Sequence, residues 1–88
     1  MDIQIGTAVC SKAGRDKGRF FAVMSCAGEY VMIADGDLRK LEKPKKKKLK
    51  HLSVTNTIFD LDALSSDKKL QKAILSRFSG GLSAKKEA

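Results

Sequence analysis

The sequence predicts a mainly β domain, a small barrel of about five short strands followed by one C-terminal α-helix. Three observations predict it. Short runs of aromatic and β-branched residues alternate with glycine-containing turns over residues 1–41. Apolar residues then recur every four positions at Leu70, Ile74 and Phe78. And 88 residues make one domain with a small core, too little to wall off a deep, dry catalytic pocket.

The first strand is expected over residues 6–11, which are short and mostly β-compatible. Residues 12–18 are polar and contain Gly14 and Gly18, a composition that turns the chain because glycine tolerates positive φ. Residues 19–26, with Phe20, Phe21 and Val23, read as the second strand, and Ala27-Gly28 as the next turn. Tyr30 to Ala34 form a third strand that Asp35-Gly36-Asp37 ends. A last short strand or turn is expected over residues 38–41. Closing such a sheet removes edges that so small a domain could not cover. Five or so strands fit an SH3-like barrel, filled by Ile5, Val9, Phe21, Val23, Val31, Ile33 and Leu38. The predicted organisation is therefore a barrel with its basic segment over residues 1–53, then an irregular connection, a short amphipathic helix and a frayed tail over residues 54–88. Ser65 or Ser66 is the predicted N-cap, and Asp67 suits the positive end of the helix dipole. Ser79-Gly80-Gly81 is the predicted stop. Too short to stand alone, this helix is expected to dock its apolar stripe on the barrel or a partner.

The charge is unevenly placed. The chain carries a formal +8, yet residues 1–38 sum to −1 and residues 52–88 to +2, which leaves +7 on residues 39–51. Such a block repels itself unless a polyanion neutralises it, so nucleic acid, an anionic membrane or an acidic protein are the candidate partners. The membrane is the weaker choice, because no large apolar anchor adjoins the lysines. No apolar run approaches the 18 or so residues needed to span a bilayer, and no signal peptide is read in the first residues. A reducing cytoplasm is the expected compartment, with Cys10 and Cys26 as free thiols at small, apolar, core-type positions; a bridge between them stays open. One histidine, His51, and two separated cysteines do not supply a zinc set. Asp35 and Asp37 fall short of a calcium loop. No nucleophile is placed with an acid or base, so no catalytic residue, cofactor or metal is expected.

The stretch from Val9 to Arg19 carries the functional signal. Two glycines let the backbone approach a surface, and their neighbours gather Lys12, Arg15, Lys17 and Arg19 near one edge, an arrangement suited to backbone phosphates. The bland alternative is an ordinary β-turn with turn glycines. Here the sequence resembles the KOW motif of ribosomal proteins and NusG-type transcription factors, in which a strand enters a basic glycine turn and a second strand leaves it. The matching residues are Gly14, Lys17 and Gly18, with Gly6 opening the first strand and Val23 in the second. The run from Ser11 to Arg19 is similar to the eukaryotic and archaeal large-subunit ribosomal protein fourteen family. The run from Asp35 to Lys40 and the lysines after Pro44 look like its bacterial relatives, KOW-domain RNA-binding proteins. The resemblance covers about residues 5–52 and implies an SH3-like barrel (a KOW domain) with RNA as ligand.

Residues 39–52 hold Arg39, Lys40, Lys43, Lys45, Lys46, Lys47, Lys48 and Lys50 around a single Pro44. Proline forces its neighbour towards extended geometry and breaks any helix there. An extended lysine string can follow a phosphate chain without reading base identity, although such runs often serve only as solvated stretches. Contact with about 5 to 7 phosphates would give a log–log salt slope near −3.5 to −6. Aromatic residues are few, so folded RNA is expected to be recognised by shape and phosphate position. The expectation is an RNA-binding protein, monomeric when free and ribosome-associated, that contacts ribosomal RNA and neighbouring ribosomal proteins or factors. The alternative is a KOW-type protein-interaction module linked to transcription or translation factors. Nonspecific DNA binding ranks below both.

Overall fold

The computed structural model describes the backbone of residues 3–87 and the side chains of residues 3–78. Five antiparallel strands form one sheet: β1 (Thr7–Ser11), β2 (Phe20–Ala27), β3 (Tyr30–Ala34), β4 (Lys45–Lys48) and β5 (Leu52–Ile58). A 3-10 turn (Leu49–His51) joins β4 to β5, and the helix α1 (Asp67–Glu87) follows. The order across the sheet is β4-β3-β2-β1-β5. Strands β4 and β5 are thus opposite edges, yet three residues connect them. In a flat sheet these edges would lie about 19 Å apart, whereas three residues of 3-10 helix rise only about 6 Å. The sheet must curl, and it does so as a small barrel. Two backbone bonds hold the turn: Leu49 N–H donates to the Glu29 carbonyl at 2.8 Å, and Lys12 N–H to the His51 carbonyl at 2.8 Å.

Alternation along the strands divides two cores. Val9, Phe21, Val23, Val31, Ile33 and Leu52 are buried inside the barrel, with Ile3 and Leu49 packed at its margin. The intervening positions face outwards beneath α1, where Ala22, Ala34, Leu70 and Ile74 are buried. Ala22 and Ala34 are direct cross-strand partners, so two small side chains form the floor on which the helix rests. Phe78 stacks on Phe20 with centroids 4.0 Å apart and meets Phe59 edge-on at 6.4 Å. The sheet is covered on both faces here, which is why β2 and β3 read as nearly unbroken apolar runs.

The fold class matches the sequence prediction: mainly β, a small barrel with a C-terminal helix. The predicted docking of Leu70 and Ile74 on the barrel is met, and Ser66 is the cap whose Oγ accepts from Lys69 N–H at 3.2 Å. Several expectations need correction. Residues 38–41 form no strand; the fourth and fifth strands come from the lysine run and from the stretch read as an irregular connection. The boundary placed after residue 53 therefore falls inside β5. Ile5 and Leu38, expected in the core, are 58% and 55% exposed, because both sit in turns outside the ladder. The helix also continues through Gly80 and Gly81 to Glu87, where a stop and a frayed tail were expected. Interior glycine costs a helix only about 1 kcal/mol against alanine, which discourages a turn of helix without forbidding it. Ala88 of the expected tail lies outside the described residues.

Candidate nucleic-acid interface

The hairpin between β1 and β2 is built around a buried carboxylate. Gly14 and Gly18 take φ of 85° and 89°, which lets residues 12–19 fold back tightly. Within the loop, Asp16 is only 5% exposed. Its Oδ1 accepts from Ser11 Oγ at 2.7 Å and from Lys47 Nζ at 3.0 Å. Lys47 Nζ also donates to the Ala13 carbonyl at 3.2 Å. Burial works to raise the Asp16 carboxyl, but the bonds from Ser11 and Lys47 and the charges of Lys47 and Lys45 outweigh it, so Asp16 is held below its ordinary value. Thus β4 pins the hairpin from beneath, and Lys12, Arg15 and Lys17 are left exposed.

The loop from β3 to β4 is organised by a second carboxylate. Asp35 Oδ1 accepts from the N–H groups of Asp37 and Arg39, each at 2.9 Å. Its Oδ2 pairs with Arg19 at 3.1 Å, and Arg19 also reaches Asp37 at 3.0 Å. Burial works against the Arg19 charge, but these two carboxylates outweigh it and hold the guanidinium more firmly protonated. The loop is further fixed to α1, because Asp67 Oδ1 accepts from Leu41 N–H at 2.7 Å.

The two loops meet. Gly14, Arg15 and Asp16 of the hairpin line one cleft of about 440 Å³ with Leu38, Arg39, Lys45 and Lys47 of the basic segment. Its floor is the neutralised Asp16–Lys47 pair, and Arg15, Arg39 and Lys45 give it a cationic surround. Arg39 is half-buried, with no hydrogen-bond partner on Nε.

The sequence-predicted cations divide by place. Arg15, Arg39 and Lys45 share the cleft. Lys46 and Lys48 lie beside Tyr30. Lys12 and Lys50 flank a separate groove over the 3-10 turn. Lys17, Lys40 and Lys43 are exposed in loops. Two of the expected contacts are engaged within the chain. Lys47 is buried and its amine is engaged by Asp16 and Ala13, so it is a structural pin. Arg19 is paired with Asp35 and Asp37 and braces the loops. Gly14 and Gly18 shape the hairpin. Both cysteines are free. Cys10 is half-buried, and burial pushes its thiol up; Cys26 is exposed, contrary to the core position expected of it.

Among the described residues, no group of three or more His, Cys, Asp or Glu side chains could hold a metal ion, and no helix is long and apolar enough to cross a membrane. Neither the protein-family models nor the curated proteins contain a match to this chain.

Proposed function

We propose that this chain is a non-catalytic, KOW-type RNA-binding module that contacts structured, ribosomal RNA in the cytoplasm through phosphate-directed lysine and arginine. One observation carries the proposal: the glycine hairpin and the basic segment, separated in sequence, line a single cationic cleft through Arg15, Arg39 and Lys45. Folded RNA offers closely spaced phosphates to such a surface, and the binding energy comes largely from counterion release. The neutral floor spares the cleft the repulsion of a fourth free cation.

The test is a binding titration against a folded ribosomal RNA fragment at several salt concentrations. Arg15→Gln, Arg39→Gln and Lys45→Gln together are expected to weaken binding at least about tenfold and to flatten the salt slope by about 2. Unchanged affinity and slope would remove the cleft from the mechanism. Crosslinking in cells addresses the ribosomal assignment: enrichment of ribosomal RNA supports it, while recovery of polymerase or translation factors without RNA favours a protein-interaction module.

A further inference from the structure

Strand β4 turns its other face towards one exposed aromatic ring. The antiparallel register sets Tyr30 opposite Lys48 and Met32 opposite Lys46, so these alternate side chains share a face. On it, Lys46 Nζ lies 4.8 Å from the Tyr30 ring centroid and Lys48 Nζ 5.7 Å. Tyr30 is 36% exposed. The conservative account is cation–π packing that shields an edge strand. The same three groups are also what a nucleotide requires: a π-face for the base and ammonium groups for its flanking phosphates.

We propose that Tyr30, with Lys46 and Lys48, is a stacking position for an unpaired RNA base. The proposal rests on the RNA-binding function above and narrows its substrate to folded RNA with an unpaired nucleotide, a bulge, loop or strand end, beside the structured part. A base inside a helix is already stacked on its neighbours, so only an unpaired one can offer its face to Tyr30. Lys45, which lines the cleft, and Lys46, which flanks the ring, are successive residues of an edge strand and point to its two opposite faces. An RNA that passes over this edge can therefore reach both. Lysine is a mobile point charge, free to leave the ring for a phosphate when a base takes its place.

Tyr30 is the single tyrosine of a chain without tryptophan, so intrinsic emission reports on this ring. The probes are an RNA hairpin with a short single-stranded extension and the same hairpin with an abasic extension, which keeps the phosphates and removes the bases. The wild-type protein is expected to bind the intact extension about tenfold more tightly, with its tyrosine emission quenched by that RNA alone. Tyr30→Phe should keep the preference, and Tyr30→Leu, which keeps apolar bulk at the edge, should lose it. Equal affinity for both hairpins, each still salt-dependent, overturns the stacking position and leaves the parent function standing. Lack of salt-dependent affinity for either hairpin overturns both.

Discussion

At the scale of single residues, the four lysines of β4 are chemically identical and structurally distinct. Lys47 alone points under the hairpin, where its amine neutralises Asp16. Lys47→Ala would strand a buried carboxylate, and such a loss costs about 3 kcal/mol or more. Urea denaturation should register that loss, and Asp16→Leu/Lys47→Met should recover much of it, since a buried pair can often be replaced by apolar groups. The pH dependence has a definite sign. Because the folded Asp16 pKa is depressed, its contribution is complete above the ordinary aspartate value of about 4 and is lost as pH falls through the lowered folded value. Urea midpoints measured down a series of acidic pH values should fall more steeply for the wild type than for Asp16→Asn. Equal slopes would show that Asp16 does not contribute this linkage.

At the scale of elements, α1 and the basic loop hold each other. Gly36 sits at φ 79°, and a Cβ there would overlap the Asp67 carbonyl oxygen, so the start of α1 lies directly against the loop that presents Arg39. Gly36→Ala combines backbone strain with this collision and should cost more than about 1 kcal/mol. Amide exchange should then quicken in the first turns of α1 and in residues 35–41 ahead of the barrel interior; uniform quickening would argue against this local coupling. Strand β4 has a second property. An unpaired edge studded with lysine resists pairing with another chain, so its charge serves the fold as well as the ligand. The two roles separate experimentally. Replacing Lys45, Lys46 and Lys48 by glutamine should leave the melting temperature near that of the wild type and lower the magnitude of the salt slope by about 2, while self-association, followed by sedimentation, should rise. An unaltered slope would reduce these lysines to edge protection.

At the scale of the whole molecule, the barrel was legible because alternation is a local signal. Phe21, Val23, Val31 and Ile33 could be assigned to the core from spacing and residue type, and Leu70 and Ile74 from their helical period. Strand β5 was read as an irregular connection although Val54, Thr55, Thr57 and Ile58 are β-branched, because the lysine block beside it drew the domain boundary into the strand. Strand β4 was not legible, since four lysines carry little β-propensity and pair only because β3 offers an open edge. The sequence by itself determined a β-rich chain with a glycine hairpin, a terminal amphipathic helix and nearly all its excess charge in one block. Only the tertiary structure decided which cations face solvent, which one is consumed beneath Asp16, and that Arg15 shares a cleft with Arg39 and Lys45. The physical reason is that strand register and the curl of the sheet fix side-chain direction through contacts between distant residues. Local composition does not encode those contacts.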